Sequence, residues 1–239
     1  MVNFKCQAVI VAGGSGKRMG TKILKQYMEV GGIPILARTL SCFQNCEGIQ
    51  DIVIVTAKDE IEFCAKEIVE RFNFSKVKKI VRGGAERQNS VFNGLASLDK
   101  DTDIVLIHDG VRPFVKEEHI KKIIEETAVY GGCVLGVKVK DTVKRCDEKG
   151  FIVSTPDRKY LWIAQTPQAF KYNLIMEAYK KAGSDVFLGT DDSTLAERLG
   201  IKVKMIEGDY DNIKITTKED LDFGEVIVKK YGDYGNFSV

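Results

Sequence analysis

The residues with the clearest chemical potential are Ala12-Gly13-Gly14-Ser15-Gly16, which follow a short apolar run. Small residues let the backbone approach a ligand closely and turn through positive φ, which a nest of N–H donors around phosphate oxygens requires. Lys17, Arg18, Lys22 and Lys25 come next, with no acid before Glu29, so a polyphosphate at that loop would meet fixed positive charge. Two familiar phosphate motifs fail on register. A dinucleotide fingerprint built on Gly14 and Gly16 needs a third glycine where Met19 stands, and a P-loop ending at Gly16-Lys17 needs glycine and Ser or Thr where Val11 and Arg18 stand. Taken alone, the loop reads equally well as a tight turn followed by a solvated basic face.

Other segments carry polar groups that gain meaning only together. Gly83-Gly84-Ala85-Glu86-Arg87-Gln88-Asn89-Ser90 ends an apolar run and opens a helical pattern; it could hold a base edge, or be a helix start with Glu86 as its N-terminal acid. Asp109, in His108-Asp109-Gly110-Val111-Arg112, stands at a strand end. Over a triphosphate it is a natural Mg²⁺ ligand, and otherwise a loop acid paired with Arg112. His108 is expected to be a buried, satisfied histidine, since an already ionised phosphate nucleophile needs no base. Thr142, Arg158, Thr166, Thr190 and Lys214 make a donor set suited to a second phosphate, although their spacing alone does not bring them together. Trp162 is read as a core or subunit-contact anchor.

These residues need elements to place them. Residues 5–11, 51–56, 77–81 and 103–108 are apolar, β-branched runs expected to be buried strands. Helical stripes fall between and after them: Ile61, Cys64, Ala65, Ile68, Val69 and Phe72; then Val91, Phe92, Leu95 and Leu98; then Ile120, Ile123, Ile124 and Ala128. Alternating strands and helices predict an α/β fold with a doubly wound, mostly parallel sheet. From Cys133 to about residue 165 the pattern is strand-like around Asp147-Glu148-Lys149-Gly150, which predicts a β-arm at about 137–165. Helices are expected at 171–182 and 192–199, a strand at 201–206, and a last helix capped by Thr217 and Asp220. In an open parallel sheet the ligand crevice lies beyond the carboxyl ends of the strands, where the glycine loop, Gly84 and Asp109 would all sit.

Composition narrows the class. At 239 residues the chain can bury a full core as one domain with an arm. The net charge of +2 excludes general affinity for nucleic acid or anionic membrane, so any basic site is local. No apolar run is long enough to span a bilayer and no secretory signal opens the sequence, so a soluble, cytoplasmic protein is expected. Six cysteines without a CxxC pair, and two histidines far from most of them, point to reduced thiols and not to structural zinc.

With these residues in view, the sequence resembles the 2-C-methyl-D-erythritol 4-phosphate cytidylyltransferase family over nearly its whole length. The resemblance rests on AGGSGKRM at 12–19, LKQY at 24–27, GGAERQNSV at 83–91, HDGVRPF at 108–114, VKDTVKR at 139–145, DRKYLWIAQTPQAF at 157–170, TDDS at 190–193 and EGDYDNIKIT at 207–216. It implies a Rossmann-like nucleotidyltransferase that transfers CMP from CTP to a small polyol phosphate with Mg²⁺. Ala12, Gly13, Gly14, Gly16 and Lys17 would wrap CTP, and Gly84, Arg87 and Ser90 would surround the cytosine. Arg18, Lys25 and Lys214 would be catalytic cations, and Asp109 would hold the metal, with Asp211 a weaker candidate. Arg112, Thr142, Arg158, Thr166, Thr190, Asp109 and Lys214 would grip the acceptor, with the arm exchanged across a homodimer.

Two departures touch the acceptor. Val11-Ala12-Gly13-Gly14 stands where the family commonly has Pro-Ala-Ala-Gly, and Gly110-Val111 follows the aspartate; both resemble the related ribitol 5-phosphate enzymes. The arm, with DTVKR and DRKYLW, resembles the methylerythritol enzymes. A sugar-1-phosphate nucleotidyltransferase, lacking such an arm, and a non-catalytic nucleotide-binding protein are the competing classes.

Overall fold

The computed structural model describes residues 4–14 and 24–232. Its frame is a seven-stranded sheet. In chain order the elements are β1 (Cys6–Val11), a short hairpin of β2 (Glu29–Val30) and β3 (Ile33–Pro34), α1 (Ile35–Gln44), β4 (Asp51–Thr56), α2 (Ile61–Phe63), β5 (Val77–Arg82), α3 (Arg87–Ala96), β6 (Ile104–Asp109) and α4 (Glu117–Tyr130). Then come β7 (Gly132–Lys138), β8 (Arg145–Cys146), β9 (Ile152–Ser154), β10 (Trp162–Lys171), α5 (Tyr172–Ser184), α6 (Asp192–Arg198), β11 (Lys204–Glu207) and α7 (Lys218–Tyr231). The helix begun by α2 continues as a π-helical segment, Cys64–Glu70, where the apolar stripe predicts regular helix.

The strand order is β11-β7-β10-β6-β1-β4-β5. β1 pairs in parallel with both β4 and β6, and β11 in parallel with β7, while β10 is antiparallel to β6 and β7. The chain thus winds outward from β1 in one direction through β4 and β5, then returns to β1's other side with β6. That reversal leaves a crevice beyond the ends of β1 and β6, the usual ligand position in such sheets. Val11 and Asp109 are register partners there, so the glycine turn and the aspartate start side by side.

Both faces of the sheet are covered because side chains alternate along β1. Cys6, Ala8 and Ile10 pack under Leu36, Leu40 and Phe43 of α1 and Ile120 and Ile123 of α4. Val9 points the other way, against Val91 and Leu95 of α3 and Ile175 of α5. The stripes read from the sequence do not include α1. Eight of its ten residues are buried, including Arg38, whose Nε donates to Val30 O, so even its polar positions face the protein and not solvent.

The expected arm is the two-stranded β8–β9 ribbon. Its turn is fixed by Asp147, whose Oδ1 accepts from the N–H of Lys149 and of Phe151 at 2.9 Å each, and by Gly150, whose φ of +85° suits glycine. The last helix has the predicted capping box, with Thr217 Oγ1 accepting from Asp220 N and Asp220 Oδ2 accepting from Thr217 N. No helix among the described residues is long and apolar enough to cross a membrane.

Candidate active site

The crevice beyond β1 and β6 is a cavity of about 370 Å³. Ala12, Gly13 and Gly14 form one wall, Gly84, Arg87 and Ser90 another, and Lys25, Asp109 and Lys214 complete it. Nine residues singled out in the sequence therefore line one space. Gly16, Lys17 and Arg18 lie outside the described residues.

Backbone geometry explains the two glycine segments. Ala12 N donates to Val55 O at 2.7 Å, and Gly83 N to Thr56 O at 2.7 Å, so the loops after β1 and β5 are both tied to the end of β4. A Cβ on Gly84 would come within 2.3 Å of Asn89 Cβ, so only glycine fits where this loop folds onto the start of α3. Ser90 Oγ accepts from Gly84 N at 3.0 Å and donates to Glu86 O at 3.1 Å, which holds that loop against the helix. Asn89 Oδ1 accepts from Glu86 N, so Glu86 is the N-terminal acid foreseen for this helix.

Asp109 is the electrostatic centre. Lys214 Nζ lies 2.8 Å from Oδ2, Arg87 Nε 3.3 Å from Oδ1, and Arg112 Nε 3.5 Å from Oδ2. Burial alone would push its carboxyl up; Arg87, Lys214 and Arg112 more than reverse this and hold it well below the usual carboxylate range. The pairing of Asp109 with Arg112 foreseen as an alternative is therefore present, but as one contact of three. Arg112 does not reach the cavity. It sits behind Asp109 and donates from Nη1 to Asn212 O at 2.9 Å.

A chain of buried polar groups delivers Lys214. β10 breaks its register with β7 between Ala164 and Gln168, and this bulge turns Gln165 and Thr166 out of the ladder. The fully buried Asn212 donates to Gln165 Oε1 at 3.2 Å and to Thr166 O at 2.9 Å, pinning the loop after β11 to the bulge. Ile215 N then donates to Val111 O, leaving Lys214 beside Asp109. Asp211 faces Lys230 of α7 at 3.3 Å and does not line the cavity.

Thr166 is buried beneath the site. The His108 Nε2 contact to Arg112 O, at 3.0 Å, joins two groups of which only the ring nitrogen can carry the proton. Nδ1 is then an acceptor, so the Thr166 hydroxyl donates to it at 3.1 Å and accepts from Asp109 N at 3.1 Å. Thr166 positions the Asp109 backbone, and its proton is already committed. His108 is buried as expected, and burial pushes its pKa down to about 4.

Thr142, Arg158 and Thr190 do not line the cavity in a single chain. Arg158, on the arm, donates to Lys140 O, and Thr190 shares a hydrogen bond with Thr194 at the start of α6. Two buried residues that sequence reasoning did not single out stand behind Arg87. Asp192 binds both Nη atoms of Arg87, and Tyr179 binds Asp192. The only signal for Asp192 was the TDDS run, which reads equally as a helix start, and Tyr179 carried none.

Among the described residues, no group of three or more His, Cys, Asp or Glu could hold a metal by itself. Asp109 offers a single hard oxygen donor site at the cavity wall. That suits a magnesium ion carried mainly by nucleotide phosphates, the common arrangement for Mg²⁺, and not a metal held by protein alone.

Comparison with known proteins agrees with this geometry. The family model IspD, 2-C-methyl-D-erythritol 4-phosphate cytidylyltransferase, matches residues 6–230. A protein of that name from Caldanaerobacter subterraneus subsp. tengcongensis is 49% identical over 223 residues, covering 93% of this chain and 98% of the relative. One from Geobacter metallireducens is 49% identical over 226 residues, covering 93% and 97%. The crystal structure of 4-diphosphocytidyl-2C-methyl-D-erythritol synthase from Anaerococcus prevotii superposes with a TM-score of 0.85 at 39% identity, over 95% of this chain and 97% of that one.

Proposed function

The chain belongs to the 2-C-methyl-D-erythritol 4-phosphate cytidylyltransferase family, and from that premise we propose that it transfers CMP from CTP to 2-C-methyl-D-erythritol 4-phosphate, releasing pyrophosphate, in isoprenoid precursor synthesis. The observation that carries the reading is the convergence of Lys25, Lys214 and Asp109 with two glycine-lined backbone segments on one cavity. An acceptor phosphate oxygen attacks the α-phosphorus of CTP in line, forming the new P–O bond as the bond to pyrophosphate breaks. Both reactants are anions, so positioning and charge neutralisation supply most of the catalysis. Lys25 and Lys214 oppose that repulsion, with Arg18 assigned beside them by family resemblance. Gly84 and Ser90 are assigned to the base.

Mg²⁺, when bound with CTP, neutralises phosphate charge, with Asp109 as the protein group nearest to hand. The sheet is taken as a single catalytic domain with its arm, in a cytoplasmic enzyme. The arm supports a homodimer: Phe151, Ile152, Val153, Tyr160 and Ile163 are exposed on it or at its base, and large apolar side chains gathered on one projecting segment suit an interface. A second copy docked there would bring Arg158 and Thr142 to a cavity that they do not line in their own chain.

Pyrophosphate release across four nucleotides and the erythritol, ribitol and hexose phosphates, with and without magnesium, tests the reading. CTP with methylerythritol phosphate should be the preferred pair and should require magnesium. Preference for ribitol 5-phosphate would move the acceptor, and no release with any pair would leave a non-catalytic protein.

A further inference from the structure

Arg87 is gripped on two edges of its guanidinium. Nη1 and Nη2 donate to Asp192 Oδ1 and Oδ2 at 2.9 and 2.8 Å, while Nε faces Asp109 Oδ1 at 3.3 Å. Asp192 is fully buried, opens α6, and also accepts from the hydroxyl of Tyr179 on α5. It does not line the cavity. Because the guanidinium is a rigid planar fork, an end-on pair with one carboxylate fixes the direction of the whole group. The Nε edge is then the edge turned to Asp109.

Resting on the cytidylyl-transfer reading, we infer that Asp192 is a positioning residue for that reaction, holding Arg87 edge-on to Asp109 with Tyr179 as a second anchor, so that Lys214 keeps its place in the cavity.

The argument is one of competition. Arg87, Arg112 and Lys214 all approach Asp109, and only Lys214 does so at 2.8 Å. A guanidinium with both Nη groups uncommitted would close on Asp109 with two parallel bonds, the stronger arrangement, and so drive Lys214 away. Asp192 commits both Nη groups elsewhere and limits Arg87 to one contact. It also adds a second negative charge to a group of three cations, so that Asp109 is not left to balance them alone. Burial works against the charge of Arg87, and the opposing pull of Asp192 raises its pKa regardless. A buried carboxylate must recover its lost hydration from its partners, and the side chains that do so here are Arg87 and Tyr179.

A double-mutant cycle on the full-length enzyme tests the inference. Asp192→Asn keeps the shape and removes the charge, and is expected to lower kcat about tenfold or more in the parent, yet less than about twofold in an Arg87→Ala background. Tyr179→Phe leaves the ion pair and should lower kcat about threefold, again with no further effect once Arg87 is gone; it carries the test if Asp192→Asn does not fold. Effects that multiply in the two backgrounds, or a parent-like kcat in Asp192→Asn, overturn the positioning role. A readout without turnover separates this from failure of the functional reading. The ¹⁵N-labelled Lys214 Nζ should be protected from exchange by its ion pair with Asp109 in the parent and lose protection in Asp192→Asn, and equal protection in both proteins would overturn the clamp.

Discussion

Lys214 Nζ stands 2.8 Å from Asp109 Oδ2, joining the loop that follows the edge strand β11 to the end of the central strand β6. The contact makes one electrostatic unit out of two segments distant in sequence. It also explains how a cavity meant for anions contains a carboxylate. Asp109 orders the cations around it, and a polyphosphate that arrives can take over their charge.

Lys25 lines the same cavity, and its aliphatic end lies against Gly14, where a Cβ would meet Lys25 Cε at 3.3 Å. Lys25→Ala is expected to lower kcat by about 10²-fold, as for loss of a transition-state donor. Steady-state pyrophosphate release measures it, and turnover within a few-fold of the parent would remove Lys25 from the mechanism.

Asp109→Asn separates ordering from binding. It leaves Arg87 with Asp192 but deprives Lys214 and Arg112 of their shared carboxylate. In the absence of magnesium CTP should bind no more weakly by calorimetry, because its phosphates meet less neutralised cations, while turnover with magnesium should fall by about tenfold or more. Weaker CTP binding at equal turnover would reverse the assignment. Since the parent carboxyl is held well below the usual range, Asp109 stays ionised across neutral and mildly acidic pH. An acid limb in the rate profile near pH 6 would therefore come from another group.

His108 predicts a pH dependence of stability. Its folded pKa, pushed down by burial to about 4, lies below the unfolded value. The neutral ring favours the native state, so the contribution is complete above the unfolded pKa of about 6.5 and is lost as pH falls through the folded one. The full effect is on the order of 3 kcal/mol. Urea unfolding should show stability falling between pH 7 and pH 4 in the parent and a shallower fall in His108→Gln. Equal slopes would mean that His108 takes up its proton in the fold as readily as in the unfolded chain.

Much of this was legible in the chain. Residues 51–56 read as a strand and form β4 with the same bounds, because a strand buried on both faces is apolar throughout. Ala12 to Gly14 and Asp109 were legible because each ends or follows such a strand, where topology forces a shared crevice; Gly84 and Ser90 come after β5, which was expected to be buried but is an edge strand without a buried residue. Asp192 and Tyr179 were not. One reads as a first-turn acid and the other as a core aromatic, and only the packing of α3, α5 and α6 turns both toward Arg87. Thr166 was found by type, but its contacts to Asp109 N and His108 Nδ1 were not legible, since both partners lie far away in sequence.

Arg158 tests the arm. It lies off its own cavity on a segment whose exposed apolar residues include Phe151 and Ile152. If the arm reaches a second copy, Phe151→Asp with Ile152→Asp should shift sedimentation from dimer to monomer and impair acceptor use, while CTP binding survives. Complementation gives the sharper result. Lys25→Ala and Arg158→Ala homodimers should each be impaired, but subunit exchange between them creates mixed dimers in which one site has its own Lys25 and the partner's intact arm. In a symmetric dimer an equal mixture should recover about a quarter of parental activity. No recovery after exchange, with exchange verified by mass, would place Arg158 in the service of its own chain's site.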